Sequence, residues 1–372
     1  MLSITNLING AVLNKSNGEE TKTSLRINIE GISDIVGQVL VNGQIAERNN
    51  ILFSASIELT RQYNEIVVQT KNIYGKFQQS IKILWDKNAF KRYNFFVDDN
   101  IFFLTDIFKN KQVSLFDHFY LKKLKQFNKI YGTKFTLNLF YRNDHNFFLL
   151  KDFPDKYKLE WQNNSDWLKL SFHAYSEFPD RPYQNAHPEK LGADYDIVKS
   201  EIIRFAGEET FQIPIVIHWA MVHPDCFKIL KERGVKILSG QFINAKTYVG
   251  EVDRTAQVAD IGYYLDKDKA LYLINNQVVH DFDYDLLFIK GDITCNLFTK
   301  DEIIRKLDYK VNKSNYNETI GLATHEQYSF DYYENYIPDH FERMETAIRY
   351  VTEHGYKPVF FNEGFLGNIS WA

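Results

Sequence analysis

Residues 93–99 read Tyr93-Asn94-Phe95-Phe96-Val97-Asp98-Asp99, a short and mostly apolar run that ends on two carboxylates. A run of this length and composition fits a strand buried on both faces. Working outward, similar runs recur at 135–140, 168–172, 213–217, 235–238, 286–289, 320–323 and 359–361. Helical spacing separates them at 115–131, 194–205, 224–233 and 339–354. Ser114 with Asp117 forms a capping-box pattern, and Gly132, Gly207, Gly234 and Gly355 stand where helices should stop. Strands alternating with helices imply a parallel sheet covered by helices. The expected fold class is therefore α/β, a distorted (β/α) TIM-like barrel, with an open doubly wound sheet as the alternative. No glycine-rich phosphate loop interrupts the series. Residues 244–283 read as an insertion with its own hairpin, 270–274 and 278–282 flanking Asn275-Asn276.

Ahead of this region the pattern is different. Residues 24–29, 36–41, 51–59, 65–70 and 77–85 alternate apolar and polar, and Asn42-Gly43 is a strong hairpin signal. Short strands at this spacing predict an all-β sandwich of immunoglobulin type over 1–87. The chain then divides into that sandwich and an α/β unit over 88–372, which suits the length of 372 residues.

Composition narrows the chemistry. Aromatic residues make up 16% of the chain, whereas cysteine occurs twice, at Cys226 and Cys295. A disulfide scaffold and a Cys-rich zinc module are thereby excluded, so any metal must rest on His and carboxylates. Lys and Arg number 44 against 48 Asp and Glu, a balance of −4 that argues against a nucleic-acid partner. No 18-residue apolar run is present, so no transmembrane segment is expected, and the first twenty residues carry no secretory signal pattern.

Parallel sheets and barrels place their sites beyond the carboxyl ends of the strands. Those positions hold Asp98 and Asp99; His173, with Glu177 four residues on; His218, Trp219 and His223; Lys290 and Asp292; and Thr324, His325 and Glu326. An isolated Asp pair is ordinarily a turn, and a lone His ordinarily structural. Recurrence at strand after strand, with only 10 His in the chain, points to a polar active site. Two adjacent carboxylates ionise together only beside a positive charge, which a divalent metal supplies. His173 and Glu177 would join as ligands if the turn after the strand is helical. Mixed N and O donors of this kind suit zinc first, with other first-row metals open.

At these residues the chain resembles the polysaccharide deacetylase (NodB homology) group, carbohydrate esterase family four. The stretch Phe96-Val97-Asp98-Asp99-Asn100 stands where that family has Thr-Phe-Asp-Asp-Gly. Ser171-Phe172-His173-Ala174-Tyr175-Ser176-Glu177 keeps the first His of the second motif and replaces the second His with Glu. Ile320-Gly321-Leu322-Ala323-Thr324-His325 fits the last motif, while the third motif, an Arg with prolines, is unmatched. The resemblance implies a barrel of the glycoside hydrolase/deacetylase type and a bacterial enzyme that removes acetyl groups from a glycan. It implies Asp98 as base, Asp99 and His173 as metal ligands with Glu177 beside them, and His325 as acid. Tyr175, Tyr183, His218, Trp219 and Glu326 would then contact the sugar. Two other readings use the same residues. One is a glycoside hydrolase with Asp98 and Glu326 as its carboxylate pair. The other is a non-catalytic glycan-binding protein.

Overall fold

The computed structural model describes residues 1–244, 259–260, 262–312 and 317–364. Over the first 85 residues the strands form two sheets. One runs Leu2–Ile4, Leu25–Ser33, Leu52–Leu59, Glu47–Asn49; the other runs Val12–Leu13, Gly75–Trp85, Tyr63–Asn72, Val39–Val41, Gln44–Ile45. Alternation does the work foreseen for it. Leu25, Ile27 and Ile29 from one sheet share a core with Ile66, Val68, Ile81, Ile83 and Trp85 from the other. Each such side chain contributes roughly 1.5–3 kcal/mol on burial. Asn42 and Gly43 adopt φ 48° and 82°, the left-handed pair that a two-residue hairpin requires, and Val41 faces Gln44 across the turn.

The remainder is mixed α/β with its own core. A parallel sheet runs Leu168–Ala174, Phe135–Phe140, Arg92–Asn100, Thr319–His325, Ile293–Thr294, with Lys357–Pro358 also paired to Arg92–Asn100. A second sheet holds Ile237–Gly240 and Leu286–Lys290 in parallel, and Val278–Asp281 antiparallel to the latter. The strands are divided between two ladders that meet at two junctions. At one junction the chain steps from Lys290 to Ile293, with Gly291 N–H donating to Gly240 O (2.9 Å) and Asp292 N–H to Gly321 O (3.0 Å). At the other lies 213–217, expected as a β-branched strand but tied to the neighbouring strands by single backbone bonds: Gln212 N–H, just ahead of it, to Leu170 O, and Ser239 N–H to Ile215 O. Pro214 has no N–H to give, so a regular ladder cannot run through this segment.

Helices Phe119–Tyr131, Pro188–Ala206, Lys300–Asn312 and His340–Glu353 pack around the sheets. The Ser114–Asp117 capping box closes a short turn ahead of Phe119–Tyr131 rather than the helix itself. The expected hairpin at 270–282 is corrected. Residues 270–274 belong to the helix Lys267–Asn276, because Asp266 caps Lys269 N–H (2.9 Å) and Ala270 and Leu273 fall on one buried face. Within that expected insertion, 245–258 and 261 lie outside the described residues. The strand expected at 359–361 gives way to the helix Phe361–Gly364.

The two regions touch through an apolar cluster that joins Val12 and Leu84 to Phe96, Val278 and Leu287, and through buried polar contacts. Arg92 is wholly buried and donates to Asp86 Oδ2 (2.8 Å). Gly10, at φ 94°, lies so near His280 O that a Cβ would sit 2.1 Å from it. Among the described residues no helix is long and apolar enough to cross a membrane.

Candidate active site

Asp98 and Asp99 are consecutive residues near the end of Arg92–Asn100, where a regular strand would aim them at opposite faces. It does not, because the strand bulges there. Val97 pairs with Leu137 and Asn100 with Leu139, so three steps on one strand match two on the other. Asp99 takes φ 61°. Asn100 holds the bulge by donating to Val97 O (2.6 Å), and both carboxylates line one cavity of about 300 Å³.

The buried neighbours of Asp99 converge on one of its oxygens. His173 Nε2 lies 3.1 Å and His218 Nδ1 3.3 Å from Asp99 Oδ1, and the two nitrogens are 3.1 Å apart. His173 Nδ1 faces Val216 O (3.3 Å), an oxygen that can only accept, so a neutral His173 keeps its proton on Nδ1 and turns the Nε2 lone pair toward Asp99. Asp99 Oδ1 is buried without a hydrogen-bond partner among the described residues. Lone pairs crowded in this way repel unless a cation or proton lies among them. Bonds of about 2.0–2.1 Å in a tetrahedral site put ligand atoms about 3.3–3.4 Å apart, close to the spacing here. Asp99, His173 and His218 are therefore a group that could hold a divalent metal ion. Phe140 packs on both rings, at 5.4 and 5.0 Å between centroids, and fixes their orientation.

The two carboxylates are driven in opposite directions. Burial holds the Asp98 carboxyl above its ordinary range, against the pull of His173 and His325. Burial acts on Asp99 too, but the His173 and His218 rings outweigh it and keep that carboxyl well below the usual range. Adjacent groups separated like this divide naturally into proton acceptor and fixed anion. Asp98 Oδ1 accepts from Asn138 Nδ2 (2.7 Å), which sets its orientation.

His325 stands on the neighbouring strand, paired in register with Asp98. Its Nδ1–H donates to Asn296 Oδ1 (2.9 Å), so Nε2 is left to face the cavity, 4.0 Å from Asp99 Oδ2. Thr324 Oγ1 also donates to Asn296 Oδ1 (3.2 Å), and His340 bonds Thr324 (2.6 Å) and Ser329 (2.7 Å) behind it.

Of the residues expected at the site, Asp98, Asp99, His173, His218, Trp219, Glu177 and His325 all line the cavity. Glu177 does not join the metal group. The chain beyond Ala174 bends instead of turning helical, so spacing of four does not return Glu177 to His173. Its carboxylate accepts from His145 Nε2 (2.6 Å) instead. Three expected sugar contacts are placed elsewhere. Tyr183 is fully buried, with its hydroxyl donating to Asp194 (3.0 Å). Tyr175 stacks on Tyr141 at 5.1 Å and is absent from the cavity lining. Glu326 is buried and accepts three backbone bonds, from Ile101 (2.6 Å), Phe102 (2.9 Å) and Phe103 (2.6 Å), at the start of the helix Phe102–Lys109. Burial pushes its carboxyl up to about 8, and those three donors act against the push.

Position at a strand end suggests a sugar contact for His218 and gives no hint of Asn138, Asn296, His145 or Gln327. Asn138 carried a signal, a lone amide inside the apolar run Phe135–Phe140. Buried amides need partners.

No family model matches this chain, and no curated protein matches it. Among solved structures it is similar to the Bc1960 peptidoglycan N-acetylglucosamine deacetylase, crystallised with 4-naphthalen-1-yl-N-oxidanyl-benzamide. The identity is 11% and the TM-score 0.39, over 74% of this chain and 88% of that one.

Proposed function

We propose that this chain is a metal-dependent hydrolase that removes acetyl groups from a carbohydrate, a polysaccharide deacetylase-like enzyme. In this reading 88–372 is a distorted (β/α) barrel and 1–87 an Ig-like sandwich that positions it, each with a core of its own and a smaller apolar cluster shared between them. The observation that carries the proposal is Asp98, a carboxylate of raised proton affinity, set beside the Asp99–His173–His218 donor group with His325 across the cavity. A divalent ion in that group, zinc by its donors, would polarise the acetyl carbonyl and lower the pKa of water.

The chain's own residues account for the proton movements. Asp98, oriented by Asn138, takes a proton from the attacking water as its oxygen bonds to the acetyl carbon. His325, held by Asn296, gives the Nε2 proton to the nitrogen or oxygen that departs as its bond to that carbon breaks. The products are acetate and the freed amine or alcohol. The glycosidase reading loses one of its two carboxylates, because Glu326 faces the helix start and not the cavity.

Acetate release from acetylated chito-oligosaccharides by the zinc-loaded protein tests the proposal. Asp98→Asn should abolish release while zinc remains bound. Undiminished release by Asp98→Asn, or none by the wild type, would overturn it.

A further inference from the structure

Glu177 occupies the cavity wall without belonging to the metal group. Its bonds from His145 Nε2 (2.6 Å) and Gln327 Nε2 (3.2 Å) both fall on Oε2, and no described residue bonds Oε1. Glu177 is partly open, its side chain 18% exposed, so Oε1 is an acceptor available to a ligand. The support behind it is rigid. The His145 ring meets Phe102, Phe178 and Tyr333 edge-on or tilted at 5.4–5.9 Å, and Gln327 is buried.

The charge of the lining is one-sided. Asp98, Asp99, Glu177 and Asp180 contribute carboxylates and His173, His218 and His325 imidazoles, whereas no described lining residue is Lys or Arg. Arg181 lies over the Trp219 ring, 5.2 Å from its centre, and is not part of the lining. Among the described lining residues a sugar carboxylate, sulfate or phosphate would meet no Lys or Arg side chain. A hydroxyl or ammonium would find Glu177. A charged acceptor roughly doubles the strength of such a hydrogen bond.

We propose that Glu177 is the specificity-determining residue of this cavity, receiving hydroxyl or ammonium donors of a neutral or amine-bearing sugar and rejecting anionic ones, with His145 as its positioning residue. This rests on the hydrolase reading for the identity of the ligand as a sugar, but binding and turnover can be read apart.

The test is calorimetry on chelator-treated full-length protein with three probes: tri-N-acetylchitotriose (neutral), chitotriose (cationic) and trigalacturonic acid (anionic). The wild type should bind the first two and not the third. Glu177→Gln should weaken chitotriose at least tenfold and the neutral probe less, with His145→Gln moving both the same way by a smaller factor. Zinc affinity of Glu177→Gln should stay within about threefold of wild type, since Glu177 lies outside the donor group. Trigalacturonic acid binding as well as the neutral probe, no probe binding, an unchanged chitotriose affinity in Glu177→Gln, or loss of its zinc would each overturn the inference. Wild-type protein that binds the neutral and cationic sugars but not the anionic one, yet releases no acetate, would overturn the hydrolase reading and leave this one standing.

Discussion

Replacing Glu326 with Ala separates a structural role from a catalytic one. The two oxygens of Glu326 serve Ile101, Phe102 and Phe103 N–H at 2.6–2.9 Å, in a place where all three residues are almost completely buried. Those groups belong to the unpaired donors at a helix start, which need a partner from outside the helix. Leaving a buried donor without an acceptor costs about 1–3 kcal/mol, so three of them set a ceiling of about 9 kcal/mol. Water entering the space left by the side chain would offset part of this, and we expect a loss of about 3–5 kcal/mol. Glu326→Gln keeps one acceptor and turns an NH2 toward the donors, so its loss should be about half as large. Urea unfolding followed by tryptophan fluorescence reads both variants at one constant pH above 8, where the carboxylate is ionised. The Glu326 N–H also donates to Asp98 O (3.0 Å), so acetate release should fall along with stability. A Glu326→Gln protein as stable as wild type but inactive would refute this reasoning and return Glu326 to the substrate.

Asn138→Ala should lower kcat for acetate release about 10–100-fold with zinc binding retained, because it frees the Asp98 carboxylate without touching a donor atom; kinetics beside metal analysis checks this. Burial pushes His340 down to about 3, so in the folded protein it stays neutral while the unfolded chain protonates near 6.5. Stability should therefore fall as pH drops from about 6.5 toward 3, by up to about 1.4 kcal/mol per pH unit from this group. Urea midpoints of His340→Gln across that window should fall less steeply than those of wild type.

Much of this arrangement is legible in the sequence because it depends on local rules. Apolar runs closed by Asp98 and His325, the Asn42-Gly43 turn and the Gly132 helix stop each follow from a few neighbouring residues. Elements whose fate depends on distant partners were read less well. The β-branched run at 213–217 looks like a strand until Pro214 is asked for an N–H. Ala270 and Leu273 suit a strand or a helix, and the Asp266 cap decides between them. The same division runs through the site. Asp99 and His173 follow from position at strand ends, but the choice of His218 over Glu177 as their companion depends on a bend after Ala174 and on His145, which is remote in sequence. Tyr183 and Glu326 turn to Asp194 and to the start of the helix Phe102–Lys109, because adjacency to a site in sequence does not fix which way a side chain faces.

Zinc binding by three proteins, wild type, His218→Ala and Glu177→Gln, tests the central claim most directly. Metal analysis after equilibrium dialysis should find a single equivalent of zinc in wild type and in Glu177→Gln, and a more than tenfold weaker site in His218→Ala. Zinc retained by His218→Ala and lost by Glu177→Gln, or no stoichiometric zinc in wild type, would contradict the assignment of Asp99, His173 and His218 as the metal centre.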